Sequence, residues 1–165
     1  MIRPKHVLEI GTYTGYSALC IAEGLSDEAL LDTVEINDEL EDKIKRFFNA
    51  SEHGKKIQLH IGDALDLLPS FPYNFDAVFM DGNKRHYVGY YEACMKKLNV
   101  GGYIFADNTL WDGHVIDEVV DKNDLQTKGI LEFNNLPPFV SSNEPNAERK
   151  KAVEPFFSNT DACEY

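Results

Sequence analysis

The sequence predicts an α/β fold, a doubly wound and mostly parallel sheet, and three observations predict it. Short apolar runs recur along the chain, stretches with apolar residues at helical spacing separate them, and a glycine or an acid closes one run after another at its carboxyl end. Strands that alternate with helices call for right-handed βαβ crossovers and hence for parallel pairing. Residues 6–11 (HVLEIG) are the first run, and it breaks into a glycine-containing turn. Residues 16–24 carry Leu19, Ile21 and Ala22 at helical spacing, and residues 30–36 (LLDTVEI) read as the second strand. Residues 38–51 predict an amphipathic helix with Leu40, Ile44, Phe47 and Phe48 on one face and charges on the other. Residues 56–61 are the third strand, and 64–68 are a short helical turn stopped near Pro69. Residues 75–81 (FDAVFMD) are the fourth strand, 84–98 a helix, 102–107 (GYIFAD) the fifth strand and 125–134 a last helix.

After about Asn135 the pattern changes. The stretch 136–165 holds four of the seven prolines and keeps neither strand nor helix period. The expected organisation is therefore one domain over 1–135 followed by an irregular or disordered tail over 136–165, with no internal repeat.

A chain of 165 residues with 43% hydrophobic residues can bury one core. Its formal net charge of −12 argues against a nucleic-acid partner, which needs a basic face, and equally suits plain solubility. No apolar run has the length of a membrane span and the opening residues lack a signal-peptide pattern, so no membrane partner is expected. Cys20, Cys94 and Cys163 are odd in number and lack metal-type spacing, which predicts a reducing, cytoplasmic setting without disulfides.

In open α/β sheets ligands sit beyond the carboxyl ends of the strands. Gly11, Glu35, Asp63, Asp81 and Asp107 each end or directly follow a predicted strand. Gly11 permits a positive φ and close backbone approach, and Gly15 opens the next helix, where exposed amides favour a carboxylate or phosphate. Glycine turns after strands are also common without any ligand. The spacing G-x-x-x-G lacks the middle glycine that hugs a pyrophosphate, which disfavours a dinucleotide and a nicotinamide-dependent oxidoreductase. Glu35 is placed to accept hydrogen bonds from a ribose diol. Asp63 falls where an adenine-contacting loop lies, and suits a helix N-cap as well. Asp81, Asp107 and Asn108 are hard oxygen donors suited to Mg²⁺, although Asp-Asn pairs also cap turns. A lysine beside a cation in a desolvated site holds its proton less tightly, so Lys84 is a candidate general base; the alternative is a solvated lysine at a helix start. Tyr87, Tyr90 and Tyr91 follow, with the core as the expected place for one or two of them. Trp111 is a candidate wall for a flat aromatic substrate or an ordinary hydrophobic plug.

VLEIGTYTGYS, the Val34-Glu35-Ile36 strand end, Ile61-Gly62-Asp63-Ala64, Asp81-Gly-Asn-Lys84, Tyr87 and Ala106-Asp107-Asn108 with Trp111 follow one another in this chain. In that order and at those intervals they resemble the cation-dependent O-methyltransferases, the group that includes catechol and caffeoyl-CoA O-methyltransferases. The resemblance covers residues 5 to about 134 and implies a Rossmann-like methyltransferase fold. It implies S-adenosylmethionine as cofactor, with Gly11, Tyr13, Gly15, Tyr16 and Ser17 on its methionine side, Glu35 on the ribose, and Asp63 and Ala64 near the adenine. It implies a divalent cation, Mg²⁺ above all, on Asp81, Asp107 and Asn108, with Asp81 facing the cofactor too, Lys84 as catalytic residue and Trp111 at the substrate. The expected acceptor is a small hydroxylated molecule such as a vicinal-dihydroxy aromatic, and a homodimer is the expected assembly. Two departures stand out: only Met1 to Lys5 precede the first strand where the family carries helices, and the family's closing strand pair has no counterpart in 136–165. They predict an exposed edge on the fifth strand, and raise the alternative of a truncated, inactive relative that keeps the fold.

Overall fold

A computed structural model describes residues 2–117 and 119–136 of the chain. Five strands form one parallel sheet in the order β3-β2-β1-β4-β5: β1 (His6–Ile10), β2 (Leu30–Glu35), β3 (Ile57–Ile61), β4 (Phe75–Met80) and β5 (Leu98–Ala106). Helices α1 (Tyr16–Gly24), α2 (Glu41–Ala50), α3 (Ala64–Leu67), α4 (Tyr87–Met95) and α5 (Leu125–Asn134) connect or follow them. The sheet, its parallel sense and the helical connections are as the sequence predicts.

Alternation along the strands assigns the two faces. Val7, Leu31 and Ala77 pack with Ala18 of α1 and with Ile44 and Phe48 of α2. Leu8, Ile10, Val34, Val78 and Met80 pack on the other side with Tyr87, Tyr90 and Cys94 of α4 and Ile130 of α5. Both faces are covered, which is why β1, β2 and β4 send apolar side chains to both sides of the sheet. Tyr87 and Tyr90 are core residues, as expected of that spacing.

Some boundaries differ from the sequence reading. Residues 38–51 divide into a 3₁₀ turn Asp38–Leu40, capped by the Asn37 side chain, and α2; Ile44 and Phe48 face the core at i,i+4 spacing, and this leaves Phe47 exposed. The helix expected over 84–98 is a 3₁₀ turn Lys84–His86, capped by Asn83, followed by α4, which ends at Met95. The fifth strand begins at Leu98 rather than 102. Phe75 pairs with Leu98 and Ala77 with Tyr103, so β5 spends extra residues against β4, with Gly101 at φ 83 inside this irregular stretch. β5 is an edge strand among the described residues, with Val100, Tyr103 and Phe105 exposed. Cys20 and Cys94 are free; burial pushes the Cys94 thiol up to about 12. Cys163 and, but for Leu136, the tail expected over 136–165 lie outside the described residues.

Candidate functional site

The strand order reverses between β1 and β4, so the ends of these strands flank the crevice where such sheets bind ligands. Gly11 leaves β1 at φ 101, and a Cβ there would lie 2.3 Å from the Asp81 carbonyl oxygen. The glycine is required by this approach, which presses the turn after β1 against the residue after β4. Gly15, at φ 84, is the N-cap of α1, and the ring of Phe48 occupies the space its side chain would take. Tyr13 has φ 51, and its amide donates to Glu35 Oε2 at 2.6 Å. Glu35 Oε1 accepts from the Asn37 amide at 2.9 Å. The buried carboxylate at the end of β2 therefore fixes the glycine turn from below, using one lone pair of each oxygen and leaving others for a ligand. Tyr13 and Tyr16 stand at the rim, 71% and 77% exposed, and Ser17 is half-buried behind them.

Asp63 caps α3, accepting from the Leu65 amide at 2.9 Å, which bears out the capping role weighed for it. Ala64 is buried beside it.

Beyond β4, Asp81 Oδ1 accepts from Lys84 Nζ at 2.8 Å. The same ammonium donates to the Asp107 carbonyl at 3.2 Å and to the Tyr87 hydroxyl. Lys84 is only 5% exposed, so it is no solvated helix-start lysine. Asp107 is exposed after β5; its amide donates to the Met80 carbonyl at 3.0 Å, and its Oδ1 accepts from the Asn108 amide at 2.8 Å. Asn108 turns the chain at φ 56. Burial first, then the charges of Asp81 and Asp107, drives the Tyr87 phenol far above its ordinary value. Asp81, Lys84, Asp107 and Asn108 thus gather at two adjacent strand ends. Two carboxylates and an amide oxygen suit a hard dication, since oxygen ligands are what Mg²⁺ prefers. Among the described residues no group of three or more His, Cys, Asp and Glu side chains is placed to hold a metal ion, so this set of two carboxylates would depend on the Asn108 amide oxygen and further ligands. Trp111, at φ 47 and half-buried, packs against the core on the α4–α5 side.

Glu9 escaped assignment from sequence. It is fully buried in the middle of the sheet; Thr33 Oγ1 donates to its Oε2 at 2.5 Å, and the Thr33 and Thr12 hydroxyls lie 2.6 Å apart. Its Oε1 finds no hydrogen-bond partner among the described residues. Burial raises the carboxyl to about 7; Ser17 and Thr33 oppose the rise, and the charges of Asp81 and Glu35 add to it. A carboxylate inside an otherwise apolar strand run was the one signal for it.

The model of the O-methyltransferase family matches residues 1–137. The chain belongs to this family. Caffeoyl-CoA O-methyltransferase of Pinus taeda is 36% identical over 122 residues, a match covering 70% of this chain and 47% of that protein. The enzyme of the same description from Stellaria longipes is 32% identical over 120 residues, covering 69% of this chain and 50% of its own. Among solved structures, the O-methyltransferase TomG from Streptomyces achromogenes, in complex with SAM, superposes with a TM-score of 0.73 at 29% identity, over 80% of this chain and 60% of that one. The O-methyltransferase from Bacillus cereus, in complex with SAH, superposes with a TM-score of 0.74 at 30% identity, over 79% and 60%. The family member described here spans about half the length of the curated relatives it matches.

Proposed function

We propose that this chain transfers a methyl group from S-adenosylmethionine to a hydroxyl of a small acceptor, a vicinal-dihydroxy aromatic, with a divalent cation assisting. The observation that carries this reading is the contact of the glycine turn with Asp81: Gly11 lies against the Asp81 carbonyl, so the cofactor-type turn and the acidic cluster form one rim. Glu35 holds the ribose hydroxyls, Gly11, Tyr13, Gly15, Tyr16 and Ser17 line the methionine portion, Asp81 faces both cofactor and metal, and Asp63 with Ala64 borders the adenine. The TomG and Bacillus cereus complexes with SAM and SAH support this cofactor class. Asp81, Asp107 and Asn108 would hold Mg²⁺. When bound, the ion lowers the acceptor hydroxyl's pKa and orients it, and the sulfonium supplies the methyl group. Lys84, whose Nζ lies against Asp81 Oδ1 and the Asp107 carbonyl, takes up as a neutral amine the proton that the hydroxyl releases, and so becomes the ammonium that those oxygens hold. Trp111 offers a flat face to the acceptor.

Calorimetric titration with S-adenosylhomocysteine, with and without Mg²⁺, followed by methyl transfer from labelled cofactor to a catechol panel, tests the reading. Failure to bind at millimolar ligand defeats it for this chain. A second reading, cofactor binding without turnover, is favoured by the openness of the rim at Tyr13 and Tyr16; binding without transfer to any acceptor would select it. A homodimer in the cytoplasm, with no nucleic-acid or membrane partner, completes the proposal; among the described residues no helix is long and apolar enough to cross a membrane.

A further inference from the structure

Tyr87 does more than fill the core. Its ring is fully buried, edge-on to Phe133 of α5 with centroids 5.5 Å apart, and a phenylalanine would fill that space equally well. The hydroxyl, however, meets three groups at one point. It accepts from Lys84 Nζ, and its own proton lies between the carbonyls of Asp107 at 2.9 Å and Met80 at 3.0 Å. Those carbonyls belong to the last residue of β4 and the first residue after β5. The Lys84 ammonium has three donors, and Asp81 Oδ1, Tyr87 Oη and the Asp107 carbonyl take all three. The Lys84 backbone is held from behind as well, since a Cβ on Gly129 of α5 would lie 2.3 Å from its carbonyl oxygen.

We propose that the Tyr87 hydroxyl is a positioning group, one that fixes Lys84 and sets the separation of the strand ends bearing Asp81 and Asp107. The proposal deepens the methyl-transfer reading and rests on it for its catalytic consequence, though not for its structural one. Loss of the hydroxyl strips one acceptor from a buried ammonium. It also leaves the Asp107 carbonyl with Lys84 alone, whereas the Met80 carbonyl keeps the Asp107 amide.

The test compares Tyr87→Phe with Phe133→Leu, which loosens the same ring and spares the hydroxyl. Reductive methylation with labelled formaldehyde, read lysine by lysine, reports how firmly Lys84 is held. In the wild type Lys84 reacts slowly. In Tyr87→Phe it reacts about tenfold faster, the factor expected for one lost hydrogen bond to a charged group, and in Phe133→Leu its rate stays near wild type. Mn²⁺ titration follows the strand-end spacing: affinity falls about tenfold in Tyr87→Phe and holds in Phe133→Leu. Where methyl transfer is measurable, Tyr87→Phe lowers kcat and leaves the KM for S-adenosylmethionine unchanged. An unchanged Lys84 rate in Tyr87→Phe, or an equal rise in Phe133→Leu, overturns the proposal. Wild-type protein that binds no Mn²⁺ defeats the metal part of the proposed function, while the methylation rates still decide the role of Tyr87. Should Tyr87→Phe fail to fold, the wild type alone answers: a slowly exchanging Tyr87 hydroxyl proton is expected in its NMR spectrum, and exchange as fast as that of a free phenol overturns the assignment.

Discussion

Replacing Glu9 with glutamine should make the protein more resistant to alkaline pH, and the size of the effect follows from where Glu9 sits. Its carboxyl is raised from 4.5 to about 7, with burial as the leading cause. The native state therefore holds a proton that the unfolded chain has released, over the window between those two values. Stability from this group is complete below about pH 4.5 and drains away as pH rises through about 7. At about 1.36 kcal/mol per unit, the loss between about pH 5 and about pH 8 is about 2 to 3 kcal/mol. The glutamine variant keeps the volume and an oxygen for the Thr33 hydroxyl to donate to, but has nothing to ionise. Urea unfolding of both proteins at several pH values, extrapolated to water, measures the difference, and the titrating groups that do not interact with Glu9 cancel in the comparison. The variant should gain on the wild type as pH rises, with the gap levelling off above pH 7. Parallel pH profiles would refute the reasoning, because they would mean that Glu9 is ionised in the folded protein and solvated through some path absent from this packing.

Other substitutions separate packing from chemistry. Gly129→Ala in α5 should raise helix propensity by about 1 kcal/mol, yet its Cβ would meet the Lys84 carbonyl at 2.3 Å; a net loss of stability in urea unfolding is expected, and a gain would contradict the close packing of α5. Tyr73→Phe removes the hydroxyl that donates to Asp32 Oδ2 at 2.8 Å, leaving the fully buried Asp32 with His60 alone. Thermal and urea denaturation should register a loss of about 1 to 3 kcal/mol. Glu35→Gln puts an amide where the Tyr13 and Asn37 amides donate. Calorimetry should find S-adenosylhomocysteine bound at least about tenfold more weakly, and unchanged affinity would remove Glu35 from the proposed ribose contact.

What sequence reveals here and what it hides divide along a physical line. The acids that close β2 and follow β4 and β5 are legible because each stands at a strand's carboxyl end, a local pattern. Gly11 is legible as a turn, but its reason is not: the pressure comes from Asp81, brought beside it only when β4 inserts next to β1. Glu9 reads locally as a strand residue of uncertain face, and its burial requires β2 on one side and β4 on the other. Tyr87 reads as a core aromatic, and so its ring is; the hydroxyl acquires its partners only through the pairing of β4 with β5. The start of β5 was hidden because Asn99-Val-Gly-Gly looks like a turn, and only the neighbouring strand's ladder turns it into an irregular extension. In each instance the hidden part is a contact created by strand order. The same ordering makes the site: a chain that laid β4 beside β3 instead would keep every motif and separate the glycine turn from Asp81, so the proposed chemistry depends on topology as much as on residue identity.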